Sequence, residues 1–335
     1  MSIIKYMADI YWFCSDEQFQ PEDLVKHAVL AEQAGFDGVM ISEHFHPWVD
    51  DRGASGFAFT TLGAMAVKTK RIQLMTMVTT PLFRFHPAVV AQAAATIDRL
   101  SAGRFALGVG TGENINERPL GFVLPAYKER SERLKEAREI IQRLLSGERL
   151  DFSGQYYQTS SAKLYSPPLH PVPIYLAAGG PQSATTAGNY YDGIIISVKN
   201  VKDALTNLVT VAYATQPNEN FKTIANRWSI YAKDESQAWE AIQAQRGLRT
   251  PSRADGISPL QLQDEADKLP RNKILSSYNI LKSPSDYIAT YGPLITDIGA
   301  DIIGIQTTSI DQPATIAMLG KEVLPKLHQL KKKEN

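Results

Sequence analysis

Short apolar runs alternate with helical segments along most of this 335-residue chain. Gly38–Ser42 and Gly193–Val198 are two such runs, and helical segments follow them near Thr60–Thr69 and Lys202–Ala214. Helices are also predicted from about Pro21 to Ala34, where Gly35 fits a helix stop, and over Lys128–Leu145. Apolar runs of this length are typical of parallel strands that are buried on both faces. Because parallel strands need a crossover connection of a dozen or more residues, the alternation predicts an α/β fold with a parallel sheet.

The number of predicted strands favours a closed barrel over an open, doubly wound sheet. The predicted strands are Ile3–Ala8, Gly38–Ser42, Arg71–Val78, Arg104–Gly110, Pro173–Gly180, Gly193–Val198, Thr223–Ala232 and Asp301–Gln306. Eight strands alternating with helices predict a (β/α)8 TIM barrel. We expect a single domain over residues 1–335, with insertions at about 147–165, which includes a hairpin, and at about 246–273.

Charge and cysteine content exclude several classes of protein. Lys plus Arg and Asp plus Glu both number 35, so the chain lacks the positive net charge expected of a general nucleic-acid binder. The single cysteine, Cys14, excludes an internal disulfide framework. Because no apolar run approaches the roughly 18 residues of a membrane span and no leader pattern is visible, we expect a cytoplasmic protein without a membrane or nucleic-acid partner.

Polar and glycine-rich segments follow five consecutive predicted strands, beginning with the second. Active sites of TIM barrels lie at the carboxyl ends of the strands, so these segments are expected to meet at one rim. Their notable residues are Glu43, His44, His46, Trp48, Thr79, Thr80, Glu113, Asn114, Asn116, Glu117, Gly179, Gly180, Ser197 and Lys199. This convergence predicts an active site that binds a small molecule.

The segment after the second predicted strand, SEHFHPW, allows several interpretations. His44 suits proton transfer near neutral pH, which favours a catalytic histidine over a plain structural loop. A metal site is disfavoured because His44 and His46 have no third ligand nearby in the sequence. Trp48 either packs or forms the wall of a pocket. Glu43 and Glu113 could also be the paired carboxylates of a glycoside hydrolase, which is a minor alternative.

Two glycine-rich segments bear on cofactor binding. GVGTGE contains Gly108, Gly110 and Gly112 but lacks the third glycine of the dinucleotide fingerprint, so a Rossmann site is disfavoured. These glycines allow either close approach of a ligand or a simple turn. AAGG, which ends at Gly180 before Pro181, is a better anion site, since backbone N–H groups at a helix start can bind phosphate. An ordinary strand-to-helix turn remains the alternative there.

Several motifs resemble the bacterial luciferase-like superfamily. They are ISEHFHPW, MTMVTTPLFRFHPAVVAQAAATIDRLSAGRFALGVGTGENINE, GQYYQ and VPIYLAAGGPQSATTAG. Within that superfamily the chain is most similar to the deazaflavin-dependent glucose-6-phosphate dehydrogenase family. The resemblance runs from about Met1 to Asn200 and continues more loosely to the C-terminus. It implies a TIM barrel, usually a homodimer, that binds coenzyme F420 and transfers hydride between an alcohol or sugar and the deazaflavin.

The resemblance also implies roles for individual residues. His44 would take the hydroxyl proton of the substrate, Trp48 would flank the reaction centre, and Glu113 would protonate the deazaflavin ring. Lys199 and Arg253 would contact the substrate. The cofactor contacts that the resemblance implies are Glu43, Met77, Val78, Thr80, Asn116, Gly179 and Gly180. It further implies a cis peptide bond between Met77 and Val78.

The chain departs from the family pattern at positions that affect the substrate. Glu43 and His46 stand where the family usually has Asp and Gln, and an arginine that binds the sugar phosphate is replaced near Ser277. Loss of one guanidinium removes a charge-assisted phosphate contact, which argues against glucose 6-phosphate. The favoured function is an F420-dependent dehydrogenase or reductase. An FMN-dependent monooxygenase and a flavin-binding protein without turnover are the alternatives.

Overall fold

The computed structural model describes residues 7–333, and a closed barrel of parallel strands is its central feature. The strands of these residues are β1 (Asp9–Cys14), β2 (Gly38–Ile41), β3 (Gln73–Thr76), β4 (Phe105–Val109), β5 (Leu150–Ser153), β6 (Gln158–Ala162), β7 (Ile174–Ala177), β8 (Gly193–Ser197), β9 (Lys222–Tyr231), β10 (Asn279–Leu281) and β11 (Ile302–Thr308). Within residues 7–333, eight of them pair in the order β1-β2-β3-β4-β7-β8-β9-β11, and β11 pairs back with β1. The predicted (β/α)8 barrel is therefore confirmed.

Helices surround the barrel and connect its strands. They are α1 (Pro21–Ala34), α2 (Ala58–Lys68), α3 (Pro87–Ser101), α4 (Asn114–Glu117), α5 (Tyr127–Leu145), α6 (Pro181–Tyr190), α7 (Val201–Ala204), α8 (Thr210–Tyr213), α9 (Glu235–Ala241), α10 (Pro259–Asp267), α11 (Arg271–Leu275), α12 (Pro284–Thr296), α13 (Gln312–Met318) and α14 (Leu324–Leu327). Two π-helical segments, Leu205–Val209 and Leu319–Val323, continue α7 and α13. Across residues 7–333 we find no helix with the length and apolarity needed to cross a lipid bilayer.

The core has an inner layer inside the barrel and an outer layer between strands and helices. Successive side chains of a strand face opposite sides of the barrel wall, so each strand supplies both layers. The inner layer consists of Tyr11, Phe13, Met40, Met75, Tyr175, Ile195, Ile224 and Ile302. Trp12 belongs to the outer layer and makes an edge contact with Phe36, with ring centroids 5.8 Å apart. Burial of a side chain of this size stabilises the fold by about 1.5–3 kcal/mol.

The position predicted for the first strand, Ile3–Ala8, is wrong. Residues 3–6 lie outside the described residues, Met7 and Ala8 precede the sheet, and β1 begins at Asp9. The aromatic run of β1 is buried on both faces, because Tyr11 and Phe13 fill the barrel while Trp12 packs outward. A strand buried on both faces has no polar and apolar alternation that would mark it in the sequence.

Most other elements lie where the sequence predicts them. The helix predicted from Pro21 to Ala34 is α1, and Gly35 ends it with a left-handed φ of 95°. The helix predicted over Lys128–Leu145 is α5, which begins one residue earlier. The helix predicted near Lys202–Ala214 is interrupted by the π-helical segment Leu205–Val209. The predicted small hairpin is formed by β5 and β6.

The chain between β9 and α12 covers part of the rim formed by the carboxyl ends of the strands. It contains α9, two 3₁₀ segments at Gln243–Arg249 and Pro251–Ala254, and then α10, α11 and β10. Gln245 bonds to the side chains of Ser15 and Gln18, which follow β1. The strand β10 pairs with the last residues of β9 and so extends the sheet beyond the barrel. The single-domain organisation stays a prediction.

Candidate active site

Five side chains meet at the rim of the barrel and form what we call the mouth cluster: Glu17, His44, Trp48, Glu113 and Arg253. Glu17 follows β1, His44 and Trp48 follow β2, and Glu113 follows β4. Arg253 comes from the second 3₁₀ segment, about 140 residues further along the chain than Glu113. Because the barrel strands are parallel, their carboxyl ends bring these distant segments to one rim.

His44 lies between two carboxylates. Its Nε2 atom is 3.4 Å from Oε1 of Glu17 and 3.9 Å from Oε2 of Glu113. Its Nδ1 atom lies 3.1 Å from the backbone carbonyl oxygen of His46, which assigns the proton of the neutral ring to Nδ1. Nε2 is then the atom that can accept a proton, and the neighbouring carboxylates stabilise the positive charge that results.

Glu17 is a member of the mouth cluster that the sequence prediction missed. Its carboxylate accepts a hydrogen bond from the Trp48 indole at 3.2 Å and another from the hydroxyl of Ser42. The residue is only 3% exposed, so its contacts with His44 and Trp48 are shielded from water. Glu17 lies three residues beyond the end of β1, and a correct position for that strand would have placed it among the strand-end residues.

Asp16 lies beneath the mouth cluster and is fully buried. Burial raises the pKa of its carboxyl to about 8, and the negative charges of Glu17 and Glu43 add to the effect. The backbone N–H of Gly56, which donates to this carboxylate at 3.2 Å, acts in the opposite direction. The raised pKa favours the neutral form of Asp16, which limits the negative charge next to Glu17.

A buried arginine connects the segments that follow β2, β3 and β4. Arg84 donates two hydrogen bonds to the carboxylate of Glu43, at 2.7 and 2.8 Å, and one to Glu117 at 3.3 Å. The hydroxyl of Thr79 also donates to Glu43, at 2.9 Å. Burial raises the pKa of Glu117, and its ion pair with Arg84 partly offsets that shift. The Glu43 side chain is 1% exposed, which does not suit the paired-carboxylate hydrolysis considered from the sequence.

Residues after β3 and β4 form the floor beside this network. The peptide bond between Met77 and Val78 is cis, as the family resemblance implies. Gly110 faces the Val78 side chain so closely that an added Cβ would lie 2.8 Å from it. The glycines of GVGTGE thus allow close packing of β4 against the chain after β3. Thr80 is buried nearby, and its methyl group would lie 3.1 Å from a Cβ added at Gly112.

Asn116 supports the loop that carries His44. Its side-chain oxygen accepts hydrogen bonds from the backbone N–H groups of Phe45, at 2.9 Å, and His46, at 3.4 Å. The residue is buried in the short helix α4. The structure thus gives Asn116 a definite role in loop geometry, and its contact with a cofactor stays a prediction.

Gly179 and Gly180 lie at the same rim, between β7 and α6. A Cβ added at either glycine would meet no atom within 4 Å, so the backbone there faces open space. The N–H of Gly180 donates to the hydroxyl of Ser183 at 3.2 Å and is therefore already bonded. The anion site and the ordinary strand-to-helix turn both remain open interpretations.

The two predicted substrate-binding cations occupy different surroundings. Arg253 forms an ion pair with Glu113, and its guanidinium lies over the Trp48 ring at 5.0 Å from the centroid. Lys199 is exposed after β8, which lies across the barrel from β2 in the strand order. Ser277, which stands near the position of a family arginine, is also exposed.

A cavity of about 370 Å³ lies beside the loop that carries His44. It is lined by His44, Phe45, Ser55, Gly56, Phe57, Arg84, Phe85 and Leu120.

Trp48 is 2% exposed and packs against Ile115 and Leu248, so it acts mainly as a packed wall of the mouth cluster. Among the side chains of residues 7–333, we find no group of three or more His, Cys, Asp or Glu arranged to hold a metal ion.

Comparison with known proteins gives consistent similarities over nearly the whole chain. A family model described as Luciferase-like monooxygenase matches residues 9–278. The chain is 36% identical to an F420-dependent glucose-6-phosphate dehydrogenase from Nakamurella multipartita, over 94% of this chain and 95% of that protein. It is 39% identical to an F420-dependent hydroxymycolic acid dehydrogenase from Mycobacterium tuberculosis, over 85% of this chain and 79% of that protein.

A solved structure is also similar in fold and sequence. It is an F420-dependent secondary alcohol dehydrogenase in complex with an F420-acetone adduct, which matches with a TM-score of 0.88 and 27% identity. The match covers 96% of this chain and 99% of that chain. The three proteins named differ in substrate, and the name of each includes F420.

Proposed function

Because the chain belongs to the luciferase-like monooxygenase family, we propose that it is an oxidoreductase that uses coenzyme F420 to interconvert a small alcohol or sugar and its carbonyl form. The observation that carries this proposal is the position of His44, whose Nε2 atom faces Glu17 and Glu113 at the rim of the barrel. The F420-dependent relatives, which include a secondary alcohol dehydrogenase, support the choice of cofactor over FMN.

The residues at the rim fit a flat heterocycle with a polar edge. Met77, Val78 and Ala177 are partly buried and pack on the inner layer of the barrel, which gives an apolar floor. Gly179 and Gly180 have open space where side chains would otherwise stand, so a ligand can approach their backbone closely. When bound, the deazaflavin supplies the hydride chemistry, and the barrel supplies position and proton transfer.

We assign proton transfer at the substrate to His44. An alcohol that loses hydride must also lose its hydroxyl proton, and Nε2 of His44 can accept that proton. Glu17 then stabilises the imidazolium through the 3.4 Å contact, and it fixes Trp48 through the indole N–H. Glu113 is more exposed than Glu17 and can exchange a proton at the edge of the site.

The substrate we propose is a small alcohol or sugar other than glucose 6-phosphate. Arg253 is paired with Glu113, Lys199 lies across the barrel from β2, and Ser277 lacks a charge. A phosphate held by one unpaired cation is bound much less firmly than one held by three. A cytoplasmic location, which composition suggests, and a homodimer, which the family resemblance implies, remain predictions from the sequence.

A titration of the purified protein with oxidised F420 and with FMN tests the cofactor. We expect F420 to bind at micromolar concentration and to be reduced in the presence of a neutral secondary alcohol. The spectral change of the deazaflavin measures both steps. Tight binding of FMN without binding of F420 would reject the proposal and favour the FMN-dependent monooxygenase.

Substitution of the proposed acid–base residues tests the catalytic assignment. His44→Ala and Glu113→Gln should each lower kcat by about 10²–10⁴, since that is the usual contribution of general acid–base catalysis, while F420 affinity changes little. His46→Gln is the matched control. It removes an imidazole of the same loop, but that imidazole stacks on Phe45 and lies outside the mouth cluster. Equal rates in His44→Ala, Glu113→Gln and the control would show that these residues do not catalyse the reaction.

A further inference from the structure

The mouth cluster is held together by a short segment that comes from a distant part of the chain. Residues 243–255, which we call the strap, contain the two 3₁₀ segments that follow α9. The strap contacts the loops after three different barrel strands. Gln245 donates hydrogen bonds to the side chains of Ser15 and Gln18, both 3.3 Å long, in the loop after β1.

The strap is fixed to the loop after β2 by an ion pair and by a close backbone contact. Arg246 is 3% exposed and donates to Asp51 of that loop at 2.9 and 3.0 Å, and to Asp267 of α10 at 2.7 Å. Gly247 lies so near Trp48 that an added Cβ would stand 2.0 Å from the Trp48 carbonyl oxygen. A side chain at position 247 would therefore push the strap away from Trp48.

The same strap reaches the loop after β4 through two further contacts. Arg253 donates to the carboxylate of Glu113, and the side chain of Asn114 donates to the backbone carbonyl of Ala254 at 3.0 Å. The Arg253 guanidinium also covers the Trp48 ring. One residue of the strap thus contacts both Glu113 and Trp48.

We propose that Arg253 is a positioning residue, which holds Glu113 next to His44 and Trp48 and does not bind the substrate. This proposal rests on the function proposed above, because that function gives Glu113 a part in proton transfer. Without Arg253, the Glu113 side chain would be free to turn toward solvent, since it is 38% exposed. The positive charge of Arg253 also balances the negative charge that Glu113 brings to His44.

The proposal makes a different kinetic prediction from direct substrate binding. Arg253→Gln should lower kcat by about 10-fold to 100-fold, which is the usual result when a catalytic group is misplaced by about an ångström. The loss should be equal for a neutral alcohol and for a phosphorylated alcohol of the same carbon framework, with KM nearly unchanged for both. Arg253→Lys should recover part of the rate, because the charge is kept.

A double variant and a matched control complete the kinetic test. In the Glu113→Gln background, Arg253→Gln should change kcat by less than about twofold, since the two residues act through one contact. Arg249→Gln is the control, because Arg249 lies in the same strap over the rings of Trp228 and Tyr278 and makes no contact with Glu113. A rise in KM for the phosphorylated alcohol alone, or full additivity in the double variant, would overturn the proposal.

Hydrogen exchange provides a measurement that needs neither cofactor nor turnover. Arg253→Gln and Glu113→Gln should each increase the exchange of backbone amides in the strap and in residues 111–117, whereas Arg249→Gln should leave residues 111–117 unchanged. Unaltered exchange at residues 111–117 in Arg253→Gln would reject the positioning role. Because this measurement uses the protein alone, it separates failure of the strap proposal from failure of the proposed F420 chemistry.

Discussion

A single buried carboxylate, that of Glu17, contacts two of the residues assigned to catalysis. It lies 3.4 Å from Nε2 of His44 and accepts the indole N–H of Trp48. A carboxylate in this position stabilises the imidazole ring when Nε2 becomes protonated and the ring is charged. Glu17 therefore acts on His44 through its charge, whereas the backbone carbonyl of His46 orients the ring through Nδ1.

We expect Glu17→Gln to lower kcat by about 10-fold to 100-fold, which is part of the 10²–10⁴ that a general base contributes. The amide keeps the size of the side chain but loses the charge that stabilises the imidazolium. Steady-state rates with F420 and a neutral alcohol measure the loss, and a fluorescence titration measures F420 affinity, which should change little. Glu22→Gln, on the exposed start of α1, is the control. Equal rates in the two variants would contradict the role of Glu17.

The sequence predicted His44, Trp48 and Glu113 because each follows a recognisable strand within a familiar motif. It could not predict that Arg253 pairs with Glu113, since these residues are 140 positions apart and no local pattern connects them. Glu17 was missed for a different reason. The predicted first strand ends at Ala8, nine residues before Glu17, so Glu17 does not follow the end of a predicted strand.

The Arg84 network couples the segments that follow three neighbouring strands. Glu43 follows β2, Arg84 and Thr79 follow β3, and Glu117 lies in α4 after β4. Two buried glutamates share one arginine, so removal of the arginine would leave negative charge without a partner in the protein interior. The network thus fixes the chain after β2 and after β4, which contains His44, Trp48 and Glu113 of the mouth cluster.

We expect Arg84→Met to lower the free energy of unfolding by about 3–5 kcal/mol, because it leaves Glu43 and Glu117 buried and unpaired. Urea unfolding followed by circular dichroism measures the change. Arg143→Met is the comparison, since Arg143 pairs with Glu139 and Glu148 on the exposed face of α5 and should matter far less. A similar loss in both variants would show that burial does not decide the strength of these ion pairs.

The long helices and the barrel strands were predictable because their patterns are strong and local. In α5, buried residues recur at spacings of three and four, which marks one face of a helix. The region between β9 and α12 gave no such signal. Its 3₁₀ segments are short. Its buried Arg246 donates hydrogen bonds to Asp51, which lies 195 residues earlier. Such a segment takes its structure from tertiary contacts rather than from its own sequence pattern.

The C-terminal part of the described chain binds to the end of the barrel opposite the mouth cluster. His328, just after α14, bonds to the Asp37 carboxylate at 2.7 Å, and Asp37 also accepts the N–H of Ile10 at 2.8 Å. Lys332 pairs with Asp301, which precedes β11. These contacts join the last helical turns to the amino-terminal ends of three barrel strands.

The pH dependence of this connection has a definite sign. The hydrogen bond to Asp37 raises the pKa of His328. Its contribution to stability is therefore fully present below the unfolded value of about 6.5 and is lost as the pH rises through the higher folded value. We expect His328→Gln to lower the free energy of unfolding by up to about 1 kcal/mol near pH 5.5, because the contact is partly exposed.

The difference between wild type and His328→Gln should shrink as the pH rises above the raised pKa of His328, and urea unfolding at several pH values measures it. His170→Gln is the control, since His170 is exposed and no carboxylate among residues 7–333 forms an ion pair with its ring. A difference that stays constant with pH would mean that packing, and not charge, explains the role of His328.

The buried position of Cys14 has a practical consequence for studies of this protein. It is the one cysteine in the sequence, it is 1% exposed in β1, and burial raises the pKa of its thiol. A thiol that is both inaccessible and protonated reacts slowly with maleimides. A cysteine introduced at an exposed position of the strap, such as Asp255→Cys, would therefore accept a fluorophore selectively, so that displacement of the strap could be followed in single molecules without first removing the native residue.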